Sequence, residues 1–138
     1  MEIEDKTYHN IVALSHQGND YFDSDEYEAA IKCFKKAFEL VPVPKNDYEA
    51  SSWLLSAIGD CLFFKDKYSE AIAEFKYSET CEGGLNSFNW LRLGQCYYFL
   101  NDTKNARLYL LKAYTMDGEE LFSDENQVYL NVIRDLIK

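Results

Sequence analysis

Cysteine and histidine are the side chains of this sequence best suited to metal binding or nucleophilic chemistry. The cysteines are Cys33, Cys61, Cys81 and Cys96, which lie 28, 20 and 15 residues apart, and the histidines are His9 and His16. Structural zinc sites draw on closely spaced ligand pairs such as C-x-x-C, and none occurs here. The sequence therefore predicts no metal site, and reduced thiols of a helical core account for the cysteines.

Nucleophilic catalysis needs a nucleophile, a base and a group that holds the developing charge. His9 and His16 could share a helix face, but no cysteine or serine pattern joins them in a recognisable set. Gly83-Gly84 has no lysine behind it, so this pair indicates a helix stop and not a phosphate-binding loop. We expect no enzymatic activity and no cofactor.

Acidic residues form two runs. The first run is Asp20, Asp23, Asp25, Glu26 and Glu28, and the second is Asp117, Glu119, Glu120, Asp124 and Glu125. The first run lacks the alternating ligands and the glycine of a calcium loop, and its carboxylates are favourable charges near a helix start. For the second run two interpretations stay open, a solvated capping role and recognition of a basic partner.

Composition restricts the class of partner. The chain has 138 residues, 47% of them hydrophobic, with a formal charge of −10 and a pI near 4.6. Such a surface repels nucleic acid and anionic membranes, and it favours a neutral to basic protein partner. Because no apolar run approaches the roughly 20 residues that span a bilayer and the N-terminus is acidic, we expect a cytoplasmic protein.

A helical hairpin recurs three times along the chain. Its marker glycines are Gly18, Gly59 and Gly94, and alanines at positions 30, 71 and 106 each follow their glycine by twelve residues. Apolar and small residues around each glycine recur with helical spacing, which predicts close contact between paired helices. The offset of 41 between the first two glycines exceeds the next offset of 35, and the surplus falls at P-V-P-K-N-D, residues 42–47. Prolines there predict a helix stop and a stiff, longer turn.

This pattern resembles the tetratricopeptide repeat, a helix-turn-helix of about 34 residues. The first copy carries Leu14, Gly18, Tyr21, Tyr27, Ala30, Phe34, Ala37 and Pro42 at the family's signature positions. The second copy keeps Leu55, Gly59, Tyr68, Ala71 and Phe75, and the third keeps Trp90, Leu93, Gly94, Tyr97, Ala106 and Ala113. Departures include Leu62, Ser78, Gly83, Thr103 and Leu110.

The resemblance implies an all-α fold, a right-handed α-solenoid of three helix-turn-helix units in a single domain over residues 1–138. We expect the repeats at about 11–44, 52–85 and 87–120 and a capping helix at about 124–137. Ser123 is the predicted N-cap of that last helix. The apolar stripe predicted to cover the third repeat is Val128, Val132, Ile133, Leu136 and Ile137.

The family's usual binding surface is the concave face formed by the first helix of each repeat. On that face the sequence places Val12, Ser15, Asn19 and Phe22, then Trp53, Ser56, Asp60 and Phe63, then Phe88, Arg92, Gln95 and Tyr98. Aromatic residues would supply buried area, and Asn19, Asp60 and Gln95 would face water or a ligand because burying them unpaired is costly. The groove of chaperone-binding relatives carries lysines and arginines where Ser15, Ser56 and Asp60 stand, so an acidic C-terminal peptide is not the expected ligand.

The resemblance therefore implies a non-catalytic protein-binding module. Three specific roles stay open. The segment from Ala113 to Leu130 resembles short bacterial repeat proteins that include suspected toxin-immunity proteins, which favours an inhibitor of a basic toxin domain. The alternatives are a chaperone for a type III translocator and a self-associating scaffold.

Overall fold

Hairpins of two antiparallel helices make up most of the chain. The computed structural model describes residues 2–137, and no strand occurs among them. The first hairpin is α1 (Asp5–Asp23) and α2 (Tyr27–Leu40), the second is α3 (Glu49–Phe64) and α4 (Tyr68–Glu79), and the third is α5 (Ser87–Phe99) and α6 (Thr103–Asp117). A 3₁₀ turn, Glu119–Phe122, and the short helix α7 (Gln127–Val132) follow. The predicted all-α class is confirmed.

Each marker glycine lies against a side chain of the second helix of its hairpin. A Cβ built on Gly18 would lie 2.6 Å from Cε1 of Phe34, and one on Gly59 would lie 2.7 Å from Cζ of Phe75. On Gly94 it would lie 2.6 Å from Cδ2 of Leu110. These separations are shorter than a carbon–carbon contact, so the predicted close packing at the glycines is confirmed.

The turn inside each hairpin repeats one backbone motif. Asp25, Asp66 and Asn101 have φ values of 61°, 61° and 62°, the left-handed region in which Asp and Asn are tolerated best after glycine. The amide of the next residue donates back to the last turn of the first helix, as from Glu26 to the carbonyl of Tyr21 at 2.9 Å. This is the Schellman arrangement, which satisfies carbonyls that a helix end leaves unpaired.

The chain forms two compact units, one up to Leu85 and one from Asn86 onward. The core of the first unit is shared by α1, α2 and α3 around Ile11, Phe34, Leu54 and Ile58. The core of the second is built from α5, α6 and the C-terminal segment around Leu110, Phe122, Leu130 and Ile133.

The C-terminal segment differs from its prediction. Helix α7 has 6 residues. Its N-cap is Asn126, whose side chain accepts a hydrogen bond from the backbone amide of Val128. Ser123, the predicted N-cap, instead follows the end of the preceding 3₁₀ turn. Arg107 explains the early end, because its guanidinium binds the carbonyl of Val132 at 2.9 Å and both carboxylate oxygens of Asp135 at 2.9 Å. These contacts satisfy the helix end without further turns.

The predicted apolar stripe is only partly correct. Ile133 is fully buried, but Leu136 is 45% exposed, while Tyr129 and Leu130 take the buried positions that the longer helix was expected to give to the stripe. The shift follows from the six-residue helix, since only residues within it keep the 3.6-residue periodicity. No helix of the described residues combines the length and apolar character that crossing a membrane requires.

Candidate functional site

The predicted site residues of α1 divide between surface and core. Asn19 is exposed and Val12 is half-buried, whereas Ser15 is buried and its hydroxyl donates to the carbonyl of Ile11 at 2.8 Å. The ring of Phe22 packs edge-on against Phe64 with centroids 5.6 Å apart. Ser15 and Phe22 therefore stabilise the first unit, and Asn19 is the exposed one of the four predicted α1 residues.

In α3 the predicted residues follow the same division. Trp53 is 38% exposed. The hydroxyl of Ser56 shares a 3.0 Å hydrogen bond with that of Ser78, which links α3 to α4. Asp60 is half-buried, and Phe63 is buried with its ring edge-on to Tyr68, 5.6 Å between centroids.

In the second unit the polar position of α5 is covered by the C-terminal segment. Gln95 is fully buried, its carbonyl accepts from Arg92 Nη1 at 2.8 Å, and its amide donates to the carboxylate of Glu125. Tyr98 packs edge-on against Tyr129, 5.7 Å between centroids. The expectation that Gln95 faces water or a ligand is wrong, because partners within its own unit satisfy both ends of its amide.

The partner-binding role of the twelve residues stays a prediction. Three of the twelve side chains are exposed on the surface of their own unit, namely Asn19, Trp53 and Phe88. Phe88 is 71% exposed. The remainder are half-buried or packed, with contacts that already give several of them a structural function.

A cleft in the first unit gathers residues that the sequence pattern did not select. This cleft, hereafter the α1–α3 cleft, has a volume of about 630 Å³. It is lined by Glu2, Ile3, Asp5, Tyr8, Asp47, Tyr48, Glu49, Ala50, Trp53 and Glu82. Of these only Trp53 belongs to the predicted face. Tyr8, Asp5 and Glu2 precede the predicted start of the first repeat near residue 11, and α1 begins at Asp5.

The surplus loop after the first hairpin contributes Asp47 to this cleft. Lys45 holds the loop to the end of α2, since its ammonium donates to the carbonyls of Phe38 and Val41 at 2.7 Å each. Asn46 joins the loop to the segment after α4. Its side-chain amide donates to Thr80 Oγ1 at 2.7 Å, and its backbone carbonyl accepts from the backbone amide of Glu82 at 2.9 Å. These bonds link the segment that carries Asp47 to the segment that carries Glu82.

Two of the four thiols lie in environments that favour the protonated form. All four cysteines are buried and unbridged. Burial raises the pKa of Cys61 to about 12, with a smaller contribution from the neighbouring carboxylate of Asp60. Burial also raises the pKa of Cys81. Over residues 2–137, no group of three or more His, Cys, Asp or Glu side chains is placed to hold a metal ion.

Comparison with known proteins identifies the family. The tetratricopeptide-repeat family profile matches residues 10–78, and a second tetratricopeptide-repeat profile matches residues 89–120. The chain belongs to the tetratricopeptide-repeat (TPR) family. Protein unc-45 homolog B from Xenopus tropicalis is 35% identical over 63 residues, which span 46% of this chain and 6% of that protein.

Solved TPR structures share the fold over nearly the whole chain. The type III secretion chaperone SycD of Yersinia enterocolitica, solved with a peptide of the translocator YopD, has a TM-score of 0.74 at 18% identity and covers 99% of this chain and 96% of its own. The first TPR of Spaghetti (RPAP3), bound to the HSP90 peptide SRMEEVD, has a TM-score of 0.71 at 18% identity, with 93% of each chain covered. The second TPR domain of human RPAP3, in complex with the HSP70 peptide SGPTIEEVD, gives 0.69 at 18% identity, covering 96% and 98%. At such identities these likenesses show the TPR fold.

Proposed function

We propose that this TPR chain is a non-catalytic protein-binding module that takes a neutral to basic protein segment on the first helices of its hairpins. The observation that carries the proposal is the exposure of large aromatic side chains on these helices. Trp53 on α3 is 38% exposed and Phe88 on α5 is 71% exposed. The rings of Phe34 and Phe75, by contrast, are buried. Exposed aromatic residues on a rigid helix are the usual anchors of a protein interface.

Two further observations support the proposal. Three of the solved TPR structures of similar fold hold peptides, from HSP90, HSP70 and YopD. The net charge of −10 would attract a basic partner over distances set by the ionic strength and would raise its association rate.

The partner differs in charge from the EEVD-type peptides of two of these structures. A carboxylate-rich peptide needs cationic groups, and the first helices here present Ser15, Ser56 and Asp60 where a basic clamp would stand. Arg92, the cation on the predicted face, already contacts Gln95 and Glu125. An acidic peptide would therefore meet repulsion.

Among specific roles, inhibition of a cognate toxin domain by an acidic immunity protein fits the charge. A chaperone role for a translocator is the second candidate, and the similarity to SycD over 99% of this chain and 96% of that one favours it. The two roles differ in whether the partner is a folded basic domain or an extended segment.

Affinity capture from a lysate of the source organism tests the proposal. The baits are the tagged chain, the exposed-face variant Asn19→Arg/Trp53→Ala and the control Lys36→Ala, which alters an exposed residue of α2. We expect one partner to be retained by the chain and the control and to be lost by the variant. The partner is then purified and its Kd for each bait measured by calorimetry.

Folding of each bait is checked by circular dichroism. Capture of the same proteins by all three baits, or of copies of the chain alone, would reject the first helices as the binding face. Self-capture would favour a scaffold.

A further inference from the structure

The α1–α3 cleft concentrates negative charge that the rest of its unit leaves unpaired. Glu2, Asp5, Asp47, Glu49 and Glu82 all line it, and among residues 2–137 no lysine or arginine does. Over residues 2–137, none of these five carboxylates makes a salt bridge or accepts a side-chain hydrogen bond. Elsewhere in the same unit carboxylates find lysines, as Glu28 does with Lys65 and Glu70 with Lys67 at 3.8 Å.

Two aromatic side chains line the same cleft. Tyr8 on α1 is 45% exposed and Trp53 on α3 is 38% exposed, and within the described chain neither packs against another ring. The face of an indole or phenol ring attracts an ammonium or guanidinium group, and the attraction grows when water is displaced. Aromatic walls and carboxylates thus select the same ligand chemistry, an organic cation with an apolar stem.

Hydrogen bonds of Asn46 fix part of the backbone beside the cleft. Asn46 ties the loop of residues 42–47 to the end of α4, with 2.7 Å to Thr80 Oγ1 and 2.9 Å from the amide of Glu82. This loop is the surplus over the ordinary repeat spacing, so the wall that carries Asp47 is an addition to the repeat scaffold. A preformed cleft binds without the cost of ordering its walls.

From these observations we propose that the α1–α3 cleft binds a lysine or arginine side chain of a basic partner segment, with Tyr8 and Trp53 against its stem and Glu49 and Glu82 near its charge. The inference rests on the proposed protein-binding function and names the part of the partner that the first unit recognises. Charge complementarity and the cleft volume of about 630 Å³ admit one such side chain with its flanking backbone.

Binding of a defined basic probe to the full chain tests the inference. The probe is a fluorescein-labelled peptide of alternating arginine and serine, and its counterpart alternates glutamate and serine. We expect saturable binding of the first peptide, read by fluorescence anisotropy, and none of the second. The variant Glu49→Gln/Glu82→Gln should bind the arginine peptide about tenfold more weakly, since each lost charge pair at a partly exposed site has a modest effect.

A matched control separates the cleft from general charge. Glu119→Gln/Glu120→Gln removes the same number of charges at exposed positions of the second unit and should leave the Kd within about twofold. A second readout uses the two tryptophans, because unlabelled arginine peptide should change the emission of the chain and of Trp90→Phe, but not that of Trp53→Phe. Equal weakening by both glutamate pairs, or an emission change that persists in Trp53→Phe, would overturn the inference.

The same variants distinguish this inference from the proposed function. A captured partner that binds Glu49→Gln/Glu82→Gln with unchanged Kd, but not Asn19→Arg/Trp53→Ala, would keep the binding function and reject the cleft as a cation site. A chain that captures no partner, while the arginine peptide still binds the cleft, would reject the proposed function. Loss of partner and of arginine peptide together in Glu49→Gln/Glu82→Gln supports both.

Discussion

Gly59 has no room for a side chain. A Cβ there would lie 2.7, 2.8 and 2.9 Å from three atoms of the Phe75 ring, and that ring is 1% exposed within its hairpin. In an open helix Gly→Ala stabilises by about 1 kcal/mol. In Gly59→Ala we expect the opposite sign, a loss of about 1–3 kcal/mol, because a packed ring must move. Urea unfolding followed by circular dichroism measures the difference.

Ser69→Ala, at an exposed position of α4, serves as the control for Gly59→Ala and should change the free energy of unfolding by less than about 0.5 kcal/mol. A Gly59→Ala protein as stable as the parent would mean that α3 and α4 separate without cost. The predicted role of the three marker glycines would then fail.

Cys61 gives the chain a defined response to alkali. Burial raises its pKa from the ordinary 9.0 to about 12, so the folded chain keeps a proton that the unfolded chain releases. Stability from this thiol is therefore complete below pH 9 and is lost as the pH rises toward 12. We expect the free energy of unfolding to fall over this window, and the fall to be shallower in Cys61→Ala than in the parent.

Ser69→Ala, at an exposed position of α4, is the control for the alkaline response, since it removes no titratable group and leaves Cys61 in place. Its slope against pH should equal that of the parent. Parallel slopes in all three proteins would assign the alkaline loss to other groups, such as the tyrosines.

The hairpin turns were predicted from the sequence, but the left-handed backbone conformation within them was not. Asn101 ends the first helix of the third hairpin with φ at 62°, which costs any residue with a Cβ. We expect Asn101→Gly to raise the free energy of unfolding by about 0.5–1 kcal/mol and Asn101→Val to lower it by about 1–2 kcal/mol. Thermal unfolding of the three proteins gives the order.

Asn105→Val and Asn105→Gly are the paired controls, because Asn105 lies in the first turn of α6 with a helical backbone. At this position glycine should lower the free energy of unfolding and not raise it. If glycine and valine had the same order at positions 101 and 105, the left-handed turn would not be the cause.

The helices that repeat were predictable because three copies of one pattern reinforce each other. Gly18, Gly59 and Gly94 each recur with an alanine twelve residues on, and a single misread position changes little. The C-terminal helix occurs once, so Ser123 and Asn126 were equally suitable caps by residue type. At the other end of this helix, Arg107 of α6 binds the carbonyl of Val132 and the carboxylate of Asp135. Sequence periodicity contains no information on such a contact.

The α1–α3 cleft was missed for a related reason. Trp53 was placed on the predicted face by helical spacing, but Tyr8, Asp47 and Glu82 come from a helix start, a loop and a segment after a helix. Tyr8 and Asp47 lie outside the predicted repeats and Glu82 lies near the end of the second, so no repeat period relates them, and the hydrogen bonds of Asn46 link the last two. Gln95 was misassigned because its partner, Glu125, lies 30 residues further on.

The net charge of these 138 residues affects their stability as well as their partners. With a formal charge of −10, folding brings like charges closer, and salt screens this repulsion over a length that falls from about 10 Å at 0.1 M to about 3 Å at 1 M. We expect the Tm to rise by about 2–5 °C between about 0.02 and about 0.5 M NaCl, measured by differential scanning calorimetry. Choline chloride should act equally, because screening depends on ionic strength and not on ion identity.

The variant Glu119→Lys/Glu120→Lys isolates the charge effect, since both residues are exposed in a 3₁₀ turn and the change removes four of the ten net negative charges. Its Tm should rise less with salt than that of the parent, while Glu119→Asp/Glu120→Asp, which keeps the charge, should rise as the parent does. Equal salt dependence in all three proteins would show that self-repulsion contributes little to the stability of the folded chain. In that case the acidity would matter chiefly for the partner, and the association rate with the arginine peptide, not the Tm, would carry the dependence on salt.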